Sequence, residues 1–119
     1  MNRELLAEYG IDYDRGLKNC MGDPAFYKTL LGMFLKDECF PRASAAYAAG
    51  DIKELFSSMH ELKGASGNAA LTELYNAIVP LVELLRTGDA QKEDVDRLFA
   101  AADEAYRRTY EGVSIAVSR

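Results

Sequence analysis

The sequence predicts an all-α fold: an antiparallel up-and-down four-helix bundle with additional short helices at its N-terminus. Apolar residues recur at a spacing near 3.6 residues along nearly the whole chain, and the alternating pattern of a strand is absent. Residues that cap or terminate helices separate these periodic segments. The links that remain between the longer helices are about two to five residues long, which suits antiparallel neighbours in a bundle.

Two short helices are expected before the bundle begins. The first covers about Arg3 to Tyr9, with Asn2 as a possible N-cap and Gly10 as its terminator. Asp12 can cap a second helix that continues to about Cys20.

The next helix is expected to break in two. Asp23 followed by Pro24 is a strong start signal, because an Asp side chain caps free backbone amides and a proline in the first turn loses no hydrogen bond. Pro41 lacks an amide donor and clashes with the preceding turn, so we expect a kink or break near Glu38 to Phe40 and a second piece to Ala49. The two pieces share one apolar stripe: Phe26, Leu30, Met33, Phe34 and Phe40.

The helix that follows carries the single histidine of the chain. Gly50 and Asp51 form a turn and an N-cap before it. Its predicted buried stripe consists of Ile52, Leu55, Met59, Leu62 and Ser66. Because successive helical residues are about 100° apart, His60 lies toward the edge of this stripe, beside Met59, and its ring should reach solvent.

A further helix is expected after a break near Asn68 to Leu71. Thr72 can cap it and Gly88 can close it, while Pro80 in its interior predicts a bend. Its apolar positions are Leu74, Ile78, Leu81, Val82 and Leu85.

The last helix starts at about Gln91 and is expected to fray or end around Gly112. One stripe of this helix is apolar: Val95, Leu98, Phe99, Ala102 and Tyr106. With it, four longer helices are available for the bundle.

Composition disfavours several classes of protein. The 119 residues suffice for a single domain, 1–119, with a core of its own, and no second domain fits. Hydrophobic residues make up 49% and charged residues 28%, which indicates an ordinary soluble globular domain. The net charge is −5 and no basic run or stripe is present, so nucleic-acid binding is disfavoured.

The sequence shows neither a membrane span nor an export signal. Its apolar runs are far shorter than the roughly 20 residues needed to cross a bilayer, and the first six residues lack a signal-peptide core, so we expect no membrane partner and a cytoplasmic location. Cys20 and Cys39 belong to no Cys-x-x-Cys pair, which indicates two reduced thiols, although two cysteines could in principle pair.

The strongest indication of function is a conflict around His60. Gly64 and Gly67 stand in a segment that otherwise reads as helix, and each costs roughly 1 kcal/mol relative to alanine in a helix interior. Lys63, Gly64 and Gly67 lie three, four and seven residues after His60, on one stripe of the helix. The glycines would clear the space beside the imidazole for a partner, and Lys63 would offer a counter-charge to an anion on the ring. Alone, Lys63 could be an ordinary surface lysine.

The neighbouring residues have structural alternatives as well. Gly64 could permit close helix packing, and Gly67 could either give access, permit packing or begin the end of the helix. Asn68 could support the site or cap the helix C-terminus. Phe56, four residues before the histidine, could belong to the core or form an apolar docking rim. Phe56, Met59 and Asn68 are the candidate contacts for a partner protein.

The segment His60 to Gly64, His-Glu-Leu-Lys-Gly, followed by Gly67, resembles the signature of histidine-containing phosphotransfer (HPt) domains, the intermediate carriers of multistep two-component phosphorelays. The likeness covers nearly the whole chain. Pro80 departs from the family pattern, which would have a helix-compatible polar residue there. Further residues stand where that pattern would place similar ones: Gly10-Ile11-Asp12, Gly16-Leu17, Gly22-Asp23, Tyr27, Phe34, Asp37, Gly50-Asp51 and Arg86-Thr87-Gly88-Asp89.

This resemblance implies a function. His60 would be the phosphoacceptor, Lys63 would stabilise the phosphoryl group, and Gly64 with Gly67 would give access. The partners would be a response-regulator receiver domain, a hybrid histidine kinase or both, and the receiver would bring the metal and the aspartyl phosphate. The chain would act as a monomeric phosphocarrier with no metal or cofactor of its own. It would have no autonomous kinase activity, since no carboxylate cluster or glycine-rich loop is placed to hold Mg²⁺ or ATP.

Three alternatives belong to other classes. A helical interaction module could keep the fold without transferring phosphate, although the intact His60 and Lys63 argue against it. A hydrolase or metal enzyme is disfavoured, because a single histidine without a nearby Asp/Glu-x-x-His motif or cysteine pair has poor metal-ligand spacing. A kinase dimerisation helix would belong to a two-helix hairpin followed by an ATP domain, and neither accompanies this sequence.

Overall fold

The computed structural model describes residues 1–118, and within this range the chain forms seven helices and no strand. The all-α prediction is therefore confirmed. The helices are α1 (Arg3–Glu8), α2 (Tyr13–Asn19), α3 (Pro24–Lys36), α4 (Cys39–Ala49), α5 (Ile52–Asn68), α6 (Thr72–Arg86) and α7 (Lys92–Val117).

The first three helices begin at the predicted side-chain caps. Asn2 Oδ1 accepts hydrogen bonds of 2.9 and 3.1 Å from two amides of α1. Asp12 accepts one of 3.1 Å from an amide of α2, and Asp23 accepts two, of 3.0 and 3.2 Å, at the start of α3. Pro24 takes the first helical position of α3, as expected. Since such a cap contributes about 1 kcal/mol, these side chains determine where the short helices start.

The predicted break separates α3 from α4. Asp37 and Glu38 lie between the two helices, and Asp37 Oδ1 accepts a hydrogen bond of 2.7 Å from the amide of Cys39. Pro41 lies in the first turn of α4, where its missing N–H needs no partner. The break therefore begins one residue earlier than expected, and α4 ends at Ala49 as predicted.

Helices α4 to α7 form the bundle, and each packs against the next in the chain. Phe40 stacks on Tyr106 and Tyr47 stacks on Phe99, each pair with ring centroids 4.1 Å apart. Tyr47 also donates a hydrogen bond of 2.5 Å to Asp96. Because higher residue numbers in α4 meet lower ones in α7, these two helices are antiparallel, as the bundle prediction requires.

Hydrogen bonds attach α1 to the C-terminal half of α7 and attach α3 to the residue that follows α5. The Arg108 guanidinium donates a hydrogen bond of 2.9 Å to Glu73 of α6 and another to the carbonyl of Glu8 in α1. Tyr27 of α3 donates one of 2.7 Å to the carbonyl of Ala69, just after α5. These bonds place α1 and α3 at the end of the bundle where the chain turns from α5 into α6.

Two predicted core stripes are wrong in part. Phe26 and Met33 are 52% and 61% exposed, because α3 uses a neighbouring face for its contact with α7. Ile52 is 47% exposed, because it is the first residue of α5 and lies at the end of the bundle. The buried residues of α3 are Tyr27, Leu31 and Phe34.

The expectations for α6 and α7 also need correction. Thr72 is the first residue of α6 rather than its cap, and Leu71 occupies the cap position without a side-chain hydrogen bond. Pro80 lies inside α6, and the bend expected there stays a prediction. Helix α7 does not end at Gly112 but continues through it. A Cβ atom at Gly112 would overlap the side chain of Tyr9, so this glycine serves the packing of α1 on α7.

Both cysteines are buried and free, as the sequence indicated. Burial, together with a hydrogen bond involving Asp37, raises the pKa of Cys39 to about 12, so this thiol stays protonated near neutral pH. None of the helices within residues 1–118 combines the length and apolar character needed to cross a membrane.

Candidate functional site

Helix α5 carries His60 on its solvent side. Asp51 caps this helix by accepting a hydrogen bond of 3.1 Å from the amide of Glu54. The opposite side of α5 holds it to the bundle through buried residues, namely Leu55, Met59, Leu62 and Ser66. His60 itself is exposed, as predicted, and its ring nitrogens have no hydrogen-bond partner within residues 1–118. The imidazole is therefore available to a reactant from solvent.

One side of the imidazole is covered by an aromatic ring. The rings of Phe56 and His60 have centroids 5.7 Å apart with an interplanar angle of 38°. Phe56 is half-buried and packs partly against the core. The guanidinium carbon of Arg86, in the last turn of α6, lies 5.4 Å from the centroid of the Phe56 ring. The antiparallel bundle predicted from the sequence brings the end of α6 beside the start of α5, but the sequence alone does not indicate that the Arg86 side chain contacts Phe56.

The other side of the imidazole is left open at Gly64. A Cβ atom added at Gly64 would meet nothing within 4 Å, so no neighbouring element requires a glycine at this position. Side chains of a helix lean toward its N-terminus and cover the preceding turn. A long side chain at position 64 would therefore lie over His60. This geometry argues against the packing alternative for Gly64.

Gly67 has a different environment. It is half-buried, and a Cβ atom there would lie 3.4 Å from Cε2 of Tyr75 in α6. That distance is an ordinary van der Waals contact, but any longer side chain would have to displace the Tyr75 ring. Helix α5 ends only one residue later, at Asn68. Gly67 therefore lies at the contact between α5 and α6, and its role in access or in packing stays a prediction.

Lys63 is an unneutralised cation near the imidazole. It lies one turn after His60, is half-buried, and forms no ion pair within residues 1–118. Its side chain also leans toward the turn that carries His60. The neighbouring Glu61 is engaged elsewhere, because it forms an ion pair with Arg42 of α4. The positive charge of Lys63 therefore remains available to an anion on the histidine.

Asn68 matches neither of its two alternatives, support of the imidazole or the helix C-cap, and Met59 faces the core. Asn68 is exposed but lies eight residues after His60, a rise of about 12 Å along the helix, so it cannot reach the imidazole. Its carbonyl accepts a hydrogen bond of 3.2 Å from Asn19 Nδ2, and Ala69 holds the C-cap position. Met59 is fully buried, so the prediction that it contacts a partner is wrong. It faces the core because it lies in register with Leu55 and Leu62.

These features define a class of protein: a helical bundle that displays one exposed histidine, with a lysine one turn away that forms no ion pair within residues 1–118. Within residues 1–118, no cluster of three or more His, Cys, Asp and Glu side chains is arranged to hold a metal ion.

The family model of the HPt domain matches residues 30–111, a span that contains His60, Lys63 and Gly64. The chain belongs to this family, whose members are phosphocarrier modules of two-component systems and interact with receiver domains and histidine kinases. Neither the search of curated proteins nor the search of solved structures returned a significant match.

Proposed function

We propose that this chain is a phosphorelay intermediate in which His60 accepts a phosphoryl group from the aspartate of a receiver domain, or from a kinase, and passes it to the aspartate of another receiver. The observation that carries the proposal is the exposed His60 ring, free of hydrogen bonds within residues 1–118 and open on the side of Gly64. The family match to residues 30–111 supports the same role.

The proposed reaction needs little from the acceptor beyond position and access. The neutral imidazole carries one unprotonated nitrogen, and this nitrogen is the nucleophile. That nitrogen forms a bond to phosphorus as the bond from phosphorus to the aspartate oxygen breaks and the carboxylate departs. The charge in such a loose transition state is spread over the three equatorial oxygens. The receiver supplies the aspartyl phosphate and the metal that holds it.

Lys63 is proposed to stabilise the phosphorylated state. A phosphoryl group on His60 carries close to two negative charges, and the ammonium of Lys63 leans toward it from one helical turn away. Because Lys63 has no carboxylate partner within residues 1–118, it can turn to the phosphoryl oxygens without breaking an ion pair. Exposed pairs of this kind contribute about 0.2 to 1 kcal/mol, so we expect a contribution secondary to that of His60.

The surface around His60 is proposed to bind the partner domain. Gly64 lets the partner approach the ring, the half-buried Phe56 offers an apolar rim, and the exposed Asn68 lies at the far end of the same face. Here the chain acts as a monomer and binds neither nucleotide nor nucleic acid. A cytoplasmic location fits this role, since receiver domains and the phosphodonors of their kinases are found there.

The direct test is label transfer from a panel of receiver domains phosphorylated with radiolabelled phosphate. The wild-type chain should become labelled, whereas His60→Ala should accept no label and keep its helical circular dichroism, because the exposed ring makes no core contact. As His60 is the only histidine, the modified residue is readily mapped. Labelling of His60→Ala at the wild-type rate would refute the assignment. A wild-type chain that binds receivers but takes no label would instead favour an interaction module.

A further inference from the structure

We propose that Phe56 is a positioning residue for His60 and that Arg86 holds Phe56 in that role. The inference rests on the proposed function, since it concerns how the acceptor ring is presented to a phosphodonor. Its basis is a row of three side chains that joins the start of α5 to the end of α6: His60, Phe56 and Arg86.

The contact with Phe56 restrains the orientation of the exposed His60 ring. No hydrogen bond within residues 1–118 fixes the orientation of the His60 ring, and the ring of Phe56 lies 5.7 Å from it. Helical side chains lean toward the N-terminus, so the His60 ring lies over the turn that contains Phe56. Phe56 therefore blocks the N-terminal side of the imidazole, while the C-terminal side stays open at Gly64. A ring held in this way presents a consistent edge to the donor.

Arg86 in turn restricts Phe56. Its guanidinium carbon lies 5.4 Å from the Phe56 ring centroid, within the range of a cation–π contact. The planar guanidinium is well suited to stack on an aromatic face. A carboxylate oxygen of Glu83, three residues earlier in α6, also lies 3.8 Å from the Arg86 Nε atom. Phe56 is thus held between the imidazole and a cation, with its remaining surface against the core.

The expected effect on the rate of His60 phosphorylation follows from the number of conformations that the His60 side chain can adopt. A helical histidine without a neighbouring ring divides its population between two staggered χ1 conformations, each with more than one orientation of the ring about χ2. If Phe56 favours one of them, its removal lowers the reactive fraction, and hence the rate, by about twofold to threefold. The effect should appear with any phosphodonor, including one that makes no contact with a protein surface.

Phosphoramidate is a suitable probe because it phosphorylates imidazole without a partner protein. The unprotonated ring nitrogen forms a bond to phosphorus, the phosphorus–nitrogen bond of phosphoramidate breaks, and ammonia leaves. We expect Phe56→Ala to slow labelling of His60 by about twofold to threefold. Phe26→Ala is the matched control, since Phe26 is an exposed phenylalanine on another helix, and it should label at the wild-type rate. Phe56→Leu preserves apolar bulk and should be slow as well, which keeps the test valid if Phe56→Ala does not fold.

A spectroscopic measurement separates positioning from general loss of structure. The single histidine gives unambiguous imidazole C–H resonances, and the ring current of Phe56 should shift them. Phe56→Leu should return these resonances toward the values of a free histidine, while Phe56→Tyr should restore both the shifts and the labelling rate. Normal phosphoramidate labelling in folded Phe56→Leu, or unchanged imidazole resonances, would overturn the positioning role.

The part played by Arg86 is tested by a double-mutant cycle. Arg86→Ala should slow labelling less than Phe56→Ala does, and should have no further effect when Phe56 is already alanine or leucine. Equal slowing in both backgrounds would show that Arg86 acts independently of Phe56. Failure of the wild-type chain to label at His60 with either donor would refute the proposed function and the positioning role together. Normal labelling of the Phe56 variants would refute the positioning role alone.

Discussion

The Gly64→Leu substitution distinguishes the effect of residue 64 on access to His60 from its effect on the stability of the fold. Glycine in a helix interior is about 1 kcal/mol less favourable than alanine, and leucine is close to alanine. Because a Cβ atom at Gly64 would meet nothing within 4 Å, the substitution should realise most of that gain without a packing penalty. For a domain of this length, a gain of about 1 kcal/mol raises the melting temperature by about 3 to 5 °C.

The same substitution should impair phosphotransfer. A leucine at position 64 leans toward the N-terminus and covers the open side of the His60 ring. A partner that must bring its phosphoryl group within bonding distance of the ring would then be displaced by an ångström or more. Since misplacement on that scale can cost about 100-fold in rate, we expect transfer from a phosphorylated receiver to slow by at least about tenfold.

Gly32→Leu is the matched control. Gly32 lies inside α3, and a Cβ atom there also meets nothing within 4 Å. It should gain stability like Gly64→Leu and leave transfer unchanged. Thermal denaturation followed by circular dichroism and receiver-to-histidine label transfer provide the two readouts. Normal transfer by Gly64→Leu would refute the access argument, and a lowered melting temperature would show that position 64 is packed after all.

Two further predictions concern the cation beside the site and the attachment of α1. Lys63→Ala should reduce the transfer rate or the phosphohistidine lifetime by up to about fivefold at low salt. The difference from wild type should narrow as the salt concentration rises, because exposed charges are screened over about 8 Å at physiological ionic strength. A variant that behaves like wild type at low salt would make Lys63 an ordinary surface lysine. Gly112→Ala should destabilise the fold by about 1 to 3 kcal/mol, because its methyl group would overlap Tyr9, while phosphoramidate labelling of His60 persists in the folded fraction. Denaturant unfolding checks the second prediction, and an unchanged midpoint would contradict it.

The helix boundaries were largely predictable because caps and breakers act locally. Asn2, Asp12 and Asp23 cap the helices that the sequence assigned to them, and Pro41 marks the break between α3 and α4. Each of these residues acts on backbone groups two to four positions away, so the relevant partner is present in the sequence itself. The exception is Thr72, which enters the first turn of α6 instead of capping it.

The structural role of each glycine was less predictable, because it depends on which other part of the chain packs against that glycine. In the sequence, Gly64, Gly67 and Gly112 are all interruptions of a helical pattern. In the structure, the first borders open space, the second lies against the ring of Tyr75, and the third accommodates Tyr9 from the N-terminal helix. Helical periodicity carries no information about these partners, and so Gly112 was wrongly expected near a helix end.

The buried face of α3 shows a second limit of periodicity. Apolar residues occur on two adjacent stripes of this helix, so the pattern alone cannot say which stripe meets the core. Phe34 packs against α7 and Tyr27 packs against α2 and the end of α5, while Phe26 and Met33 stay exposed. For Met59, by contrast, periodicity is sufficient: the residue belongs to the predicted buried stripe of α5 and is fully buried in the structure.

The direction of α5 gives the site its asymmetry. Phe56 lies four residues before His60 and Gly64 lies four residues after it, and a symmetric interpretation would give them equivalent places beside the ring. Because every side chain of a helix leans toward its N-terminus, the imidazole rests on the turn of Phe56, and a long side chain at position 64 would cover it from the other end. An aromatic residue before the histidine can therefore support the ring, whereas a large residue after it would obstruct the ring. Exchanging the two residue types would reverse both effects, so their order along the helix is itself part of the proposed mechanism.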